Sequence, residues 1–463
     1  MKFDIDNIVL KKIAKVADDN GVRAYVVGGY VRDMLLNKLD NDIDIMVLGD
    51  GVKFAKVVSN EYKTVLDAVY KNFGTALLNL NEHKIEFASA RKESYERESR
   101  KPKVGPASLE EDLSRRDFTI NTIALGLNSE NFGELTDLFD GFEDLKKKII
   151  RTTLDPLKTF DDDPLRIMRA ARFAAKLNFE IEEKTFEAIK EKRHRLIEDN
   201  VVSQERITDE FLQILMTDKP SIGLDLLFRS GVMEIIFPEI SALEGTDQRK
   251  DYHHKNVFYH TLIVIDNISQ KTDNIWLRFA ALVHDIAKPP TKKFVEGTGW
   301  TFHGHEELGA RMMKKIFLRM KLPLSKLEYV EKLIRMHLRP IPLANDDVTD
   351  SAIRRLAAEA GEELEDLLKL CRADITSKNP EKVSKFMKNY EIVEKKIMDV
   401  QAKDKLRNFQ SPVRGDEIME ICGLKPGRKI GIIKKRIEEA ILDGEIPNEY
   451  EAAKEYLYKI VSS

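Results

Sequence analysis

The chain is poor in the residues that would make it anything but a water-soluble, intracellular-type protein. Two cysteines in 463 residues, Cys371 and Cys422, stand far apart and match neither a disulfide framework nor a zinc spacing. No apolar run approaches the roughly 20 residues needed to cross a bilayer. The first residues, MKFDIDNIVLKKIAKVADDNG, mix acids and lysines into an amphipathic helix and leave no apolar core for a secretory signal. No repeat and no low-complexity segment interrupts the pattern. Excess charge of one sign is also missing: the net charge is −3, so nucleic-acid binding must come from local basic patches. These absences point to a cytoplasmic protein with no membrane partner.

What is present is a composition 42% hydrophobic and 33% charged, enough for about three or four globular domains at this length. The first 140 residues alternate strand and helix patterns, as a mixed α+β unit around a small sheet. Residues 94–116, SYERESRKPKVGPASLEEDLSRR, show no apolar period before Leu109 and read as a mobile loop followed by a helix capped by Ser108. From about residue 145 the period is almost entirely helical.

The stretch VVGGYVRDMLLNKLDNDIDIMVLG, residues 26–49, is the most informative. Asp42 and Asp44, one residue apart on a strand, project from the same face, while Ile43 and Ile45 enter the core. Two facing carboxylates repel unless a cation neutralises them, and Mg²⁺ takes oxygen ligands of this kind. Gly28 and Gly29 precede a short helix whose free N–H groups suit phosphate, and Arg32 adds a cation. GG alone usually marks a turn; the D-x-D strand at this distance turns the balance toward function. Glu86, in HKIEFASARKE, reads as a solvated strand residue, with a third metal carboxylate as the alternative.

G-G-x-V-R-D followed by D-x-D resembles the nucleotidyltransferase motif of DNA polymerase β-like proteins. The longer pattern is similar to bacterial CCA-adding enzymes of the second class and their poly(A) polymerase relatives. The resemblance implies that Asp42 and Asp44 are catalytic and hold Mg²⁺, and that Gly28, Gly29, Arg32 and Asp33 serve the nucleotide. DLSRRDFTINTIAL resembles the family's R-R-D-F-T-x-N motif, which implies nucleotide and ribose contacts for Arg115, Arg116, Asp117 and Asn121. DDDPLRIMRAARFAAKLNFEIEEKT resembles the E-D-x-x-R motif on a neck helix. There Asp163 and Arg166, sharing a helix face at i and i+3, would template the base of CTP or ATP, with Asp162, Arg169 and Arg172 alongside. Asp162 departs from the family, which has Glu there. Asp-rich capping before Pro164 also explains the segment structurally. The resemblance to the CCA-adding branch implies tRNA as partner, with poly(A) polymerase as the alternative.

Seven of the nine histidines lie between residues 253 and 337. In order, VFYH, VHDIAK, FHGHE, RMH and CRAD resemble an HD domain, a helical metal-dependent phosphohydrolase fold. The resemblance implies one metal on His260, His284, Asp285 and Asp374, and a second-metal position at His305 and His337. Imidazole with carboxylate suits Ni²⁺, Mn²⁺, Fe²⁺ or Co²⁺. A degenerate helical body that merely supports RNA is the structural alternative, as is an HD phosphodiesterase whose head only holds RNA. The tail carries six Lys/Arg and no acid from Lys425 to Arg436. Arg428, Lys429, Lys434, Lys435 and Arg436 there are expected to grip tRNA backbone, the last three along one side of a helix.

The expected architecture is therefore an α+β polymerase β-like nucleotidyltransferase head (residues 1–145), an all-α neck (146–245), an HD-type helical body (246–400) and a helical tail (401–463), as a monomer or homodimer.

Overall fold

The computed structural model describes residues 1–463 except 39–40, 71–73, 97–98, 246–255, 345–347, 378, 408–410, 443–444, 448 and 463. His253 and His254, and the expected neck–body boundary, fall outside the described residues. Two compact units emerge, residues 1–338 with 363–383, and residues 339–362 with 384–463.

Helix α1 (Ile8–Asp19) starts where the Asn7 side chain accepts from the N–H groups of Val9 and Leu10, and it buries Leu10, Ile13 and Ala17 against the sheet. Then come β1 (Arg23–Val27), α2 (Gly29–Leu35), β2 (Asp42–Leu48), α3 (Gly51–Glu61), β3 (Ala68–Tyr70), β4 (Thr75–Leu80) and β5 (His83–Ser89). The sheet is completed by β8 (Ala124–Gly126) and β9 (Leu135–Thr136), in the order β3-β4-β5-β2-β1-β8-β9. Strand β2 lies at its centre, antiparallel to β1 and parallel to β5. Ile43, Ile45 and Val47 are buried, as the alternation requires.

Residues 91–106, expected to be largely loop, instead form a ribbon apart from that sheet, β6 (Arg91–Glu96) paired with β7 (Ser99–Pro106). Its strands are rich in Lys, Arg and Glu, so no apolar alternation marks them in the sequence. The helix start was legible: Ser108 accepts from Glu111 N–H and Glu111 reaches back to Ser108 N–H, a capping box opening α4 (Leu109–Ser114).

Past α5 (Gly141–Lys147) the chain is helical apart from two small pairings, β10 (Ile149–Ile150) with β11 (Glu180–Ile181) and β12 (Lys293–Val295) with β13 (Gly299–Thr301). Helices α6 (Pro156–Asp162) and α7 (Leu165–Leu177) are separate elements. Asp163 therefore does not share a helix with Arg166 as expected. Pro164 pushes the residue before it out of the helical region, and Asp163 is extended at φ −139°, ψ 94°. The neck continues through α8 (Glu183–Lys192), α9 (Gln204–Leu215), α10 (Pro220–Arg229), α11 (Val232–Ile236) and α12 (Pro238–Ser241). The body follows with α13 (Val257–Ser269), α14 (Ile275–Val283), α15 (Lys288–Thr291), α16 (His305–Arg319), α17 (Leu327–Met336), α18 (Asp350–Ala360), α19 (Leu364–Ala373) and α20 (Pro380–Arg407). Last come α21 (Gly415–Cys422), α22 (Arg428–Leu442) and α23 (Tyr450–Ser462), around a small core of Val413, Ile418, Ile437, Ala453 and Leu457. Among the described residues no helix is long and apolar enough to cross a membrane.

One buried cation ties neck to body. Arg278, 2% exposed, donates to the carbonyls of Leu215, Thr217, Ser269 and Thr272 at 2.8–3.0 Å. It thereby satisfies acceptors left open where α9 and α13 end. Arg278→Met is expected to cost about 3–5 kcal/mol, because it strands those acceptors; urea denaturation measures it, and a loss under 1 kcal/mol would refute the role.

Candidate functional sites in the head and the helical body

A cleft of about 1190 Å³ is walled by β1, β2 and β5 of the head, the 112–121 segment and helix α7. Gly28, Gly29, Asp42, Asp44, Arg116, Asp117, Asn121, Asp163, Arg166, Arg169 and Arg172 all line it, as does Arg115. The sheet register sets its floor: Val27 and Glu86 flank Asp44 across β1 and β5. Glu86 is thus exposed, as read, and also beside the acid pair. Gly28 adopts φ +71°, and a Cβ there would lie 3.0 Å from Asp44 Oδ2 and 3.2 Å from Arg116. Only glycine lets the backbone approach so closely.

Burial pushes the Asp44 carboxyl up to about 6; Arg116 opposes the shift, and the charges of Glu86 and Asp42 add to it. A divalent cation relieves this repulsion, so the donor set of Asp42, Asp44 and Glu86 fits Mg²⁺.

Several residues expected to contact nucleotide are bound to one another. Arg32, 3% exposed, grips Asp33 through Nε and Nη2 at 2.8 and 2.7 Å and donates from Nη1 to Asn121 at 2.8 Å. It lines the cleft beside Asn121, whereas Asp33 does not line it. Arg115 is spent on Asp112, Glu93 and the Arg91 carbonyl. Arg116 donates to Asp112 at 3.1 Å, and its buried Nε has no partner. Asp117 receives Asn121 and both Nε and Nη2 of Arg169, at 2.8 and 2.6 Å. Despite burial, which alone would raise it, these cations hold its carboxyl well below the usual range. Arg172 donates to Glu210 at 2.6 Å, and Arg169 lies 3.7 Å from the same carboxylate. Arg32, Arg169 and Arg172 all stand within 4.6–5.3 Å of the Phe173 ring centroid.

The template pair is placed differently. Arg166 spends Nη2 on the Arg115 carbonyl at 2.7 Å, and Asp163 Oδ1 caps Leu165 N–H at 3.2 Å. Asp162, half-buried, has its carboxyl raised by burial and does not line the cleft. Asp112 and Glu210 escaped the sequence reading. Asp112 had a signal, since it stands three and four residues before Arg115 and Arg116. Glu210, 38 residues from Arg172, had none.

In the body the six expected residues converge. His260, His284 and Asp285 offer ligand atoms within 4.8 Å of one another, as do Asp285, His305 and His337. Asp374 Oδ1 lies 2.9 Å from His260 Nε2 and 3.5 Å from His284 Nε2. Each imidazole is oriented by Nδ1: His284 by the Ala281 carbonyl, His305 by Phe302, His337 by Ile334 and His260 by the Thr376 hydroxyl, at 2.6–2.8 Å. Their Nε2 atoms face inward, and those of His284, His305 and His337 are buried with no hydrogen bond. A buried Nε2 lone pair behind an anchored Nδ1–H is the preparation a metal ligand requires. Asp285 lies 3.2 and 3.3 Å from the Nε2 atoms of His284 and His305. Ligands about 2.1 Å from a common ion at right angles would be about 3 Å apart. The residues therefore fit a divalent ion. Lys288, missed in sequence, holds Asp285 Oδ2 at 2.6 Å.

In the tail, Arg428, Lys429, Lys435 and Arg436 are exposed and Lys434 is half-buried. Helix α22 begins at Arg428, so RKIG is helical rather than a turn. Lys434, Lys435 and Arg436 cannot line one side, since successive residues turn by about 100°. Lys434 and Lys435 stand 3.9 and 3.6 Å from Glu438 and Glu439.

Two outcomes are expected. A folded-state carboxyl near 6 binds a proton that the unfolded chain, near 3.8, has lost, so metal-free stability falls as pH rises from about 4 to 6 and stays lower above. Asp44→Asn should therefore stabilise metal-free protein at pH 7.5 by on the order of 1–2 kcal/mol and leave it unchanged below pH 4; melting temperature against pH reads this, and equal curves would refute it. Ni²⁺ should raise the melting temperature of Asp44→Asn through the body site, and adding His284→Ala should abolish that rise.

Comparison with known proteins finds family models over both the head and the body. A poly A polymerase head domain model matches residues 24–151, a probable RNA and SrmB-binding site of polymerase A matches 178–243, and an HD domain matches 253–379. An A-adding tRNA nucleotidyltransferase of Deinococcus radiodurans is 31% identical over 75% of this chain and 78% of its own. A multifunctional CCA protein of Acidovorax ebreus is 33% identical over 68% of this chain and 72% of its own. The chain spans about a third of the length of an Aquifex aeolicus A-adding enzyme to which it is 38% identical, 32% of that relative. A solved tRNA nucleotidyltransferase complexed with a primer tRNA and an incoming ATP analog superposes with a TM-score of 0.60 at 26% identity, over 83% of this chain and 98% of that one. The chain thus belongs to the tRNA nucleotidyltransferase family, with a polymerase head, an RNA-binding neck and an HD body.

Proposed function

We propose that the protein adds C, C and A, without a nucleic-acid template, to tRNA 3′ ends from CTP and ATP, releasing pyrophosphate. The observation that carries this is the presence, in one cleft, of the Asp42–Asp44 pair and of Asp163 with Arg166. When bound, Mg²⁺ on the acid pair would supply charge for the triphosphate and the attacking 3′-hydroxyl. Asp42 and Asp44 hold that ion, with Glu86 beside them. Arg116 balances Asp44 from the opposite side. Gly28 and Gly29 let phosphate approach the backbone. Cytosine and adenine each present an amino donor beside a ring-nitrogen acceptor. Asp163 accepts from the first and Arg166 donates to the second, whereas uracil and guanine present a carbonyl where the amino group would be. The Asp117–Arg169–Glu210–Arg172 chain keeps the template wall rigid. Most of the catalysis is positioning and charge stabilisation.

The HD body is read as an accessory phosphohydrolase whose divalent ion, of the Ni²⁺, Mn²⁺, Fe²⁺ or Co²⁺ kind, sits on His260, His284, Asp285 and Asp374, with His305 and His337 beside it. The exposed Arg428, Lys429, Lys435 and Arg436 contact tRNA backbone. A second reading, addition of the terminal A alone, is favoured by the names of the Deinococcus and Aquifex relatives. Polyadenylation is not favoured, since the Deinococcus and Aquifex relatives are tRNA nucleotidyltransferases by name.

The test is incubation with Mg²⁺, CTP and ATP of tRNA lacking CCA and of tRNA ending in CC. Extension of both supports CCA addition; extension of the second alone supports A addition; long adenylate tails on any RNA would overturn both. Asp42→Ala and Asp44→Ala should lower extension by at least about a thousandfold while leaving any metal-dependent hydrolysis by the body intact.

A further inference from the structure

We propose that the β12–β13 hairpin is a stacking platform that seats the 3′-terminal bases of single-stranded RNA beside the histidine cluster. The proposal rests on the phosphohydrolase reading of the HD body and names the substrate class it would recognise.

The hairpin is inserted between two members of the cluster. The chain leaves Asp285, passes through Lys288, forms β12 and β13 and returns at His305. Its root is fixed to both. His305 Nδ1 is 2.7 Å from the Phe302 carbonyl, and Lys288 lies over the Phe302 ring while holding Asp285 Oδ2 at 2.6 Å. The hairpin is therefore held in place relative to the cluster.

Its outer face carries what single-strand binding needs. Phe294 and Trp300 are directly paired in register, with ring centroids 5.3 Å apart and planes at 74°. They are 63% and 38% exposed. Two large rings held side by side in water, on a ribbon of two strands, are an uncompensated cost unless something covers them. Lys292 sits 4.7 Å from the Trp300 ring centroid, which occupies one Trp300 face with a cation and leaves Phe294 open. Every nucleobase has a π-face, so an open ring beside a lysine takes a base and its phosphate without sequence preference. Two rings suit one or two bases. They fall far short of the roughly 1,000 Å² that a specific protein interface buries. Lys292 and Lys293 against Glu296 also leave the hairpin cationic, as an RNA ligand requires.

Trp300 is its own reporter. With Trp276→Phe as background, the only other tryptophan is removed. Fluorescence is titrated with triadenylate ending in a 3′-phosphate, in EDTA and with Mn²⁺. Saturable quenching is expected in both. Phe294→Ala, at an exposed position, should weaken binding roughly tenfold and Phe294→Tyr should restore it. Lys292→Gln should flatten the salt dependence by about 0.7 in log–log slope. No quenching, or equal affinity with and without the Phe294 ring, overturns the platform. A preference for 3′-phosphate over 3′-hydroxyl ends that appears with Mn²⁺ and vanishes in His284→Ala supports the metal reading beneath it. Absence of that preference, with quenching intact, would sink the metal reading and leave the platform standing.

Discussion

Negative charge collected on one strand face has to be balanced, and most of the head is arranged around that need. Asp42, Asp44 and Glu86 stand together because β2 is parallel to β5 in a register that aligns Asp44 with Glu86. The Asp44 carboxyl stays raised although Arg116 and Arg32 both oppose the shift. Arg116 is the nearest cation to Asp44, and it is shared with Asp112. The remaining deficit is what a divalent ion and a nucleotide would fill. The cleft is thus a place where the fold stops short of satisfying itself, which is where binding energy is available.

The opposite wall shows the reverse logic. There Arg169 and Arg172 are fully engaged by Asp117 and Glu210, and Arg32 by Asp33 and Asn121. Paired buried charges contribute little to stability by themselves, but a network held at several points fixes geometry. Arg32, Arg169 and Arg172 are thereby held as a frame in the lining of the cleft, where Arg166 also stands. The histidine cluster repeats the first pattern: anchored Nδ1 atoms, the unbonded Nε2 atoms of His284, His305 and His337, buried Asp285 and half-buried Asp374 form a preorganised gap.

Much of this was legible in the sequence because it depends on short spacings. The D-x-D strand, the Ser108 capping box and the six members of the histidine cluster all came through, since alternation, capping and ligand spacing are local or motif-borne. What failed was of two kinds. Asp163 was placed on a helix with Arg166 because the i, i+3 spacing was weighed above the constraint that Pro164 puts on its predecessor. The ribbon pairing Arg91–Glu96 with Ser99–Pro106 was missed because its strands are rich in charge and carry no apolar period. Glu210 and Thr376 act across 38 and 116 residues, and only the fold brings such partners together. Arg32 and Arg115 show a further limit: residue type told their charge but not that buried acids had already claimed it.

The central claim is that a divalent ion sits between the twin aspartates of β2 and the triphosphate. Anomalous diffraction from crystals grown with Mn²⁺ and a non-hydrolysable CTP analogue tests it directly. A manganese peak bridging the Asp42 and Asp44 carboxylates and the phosphates, lost in Asp44→Asn, is the expected result. Manganese confined to the histidine cluster, with nucleotide bound in the cleft and no peak at the aspartates, would contradict it.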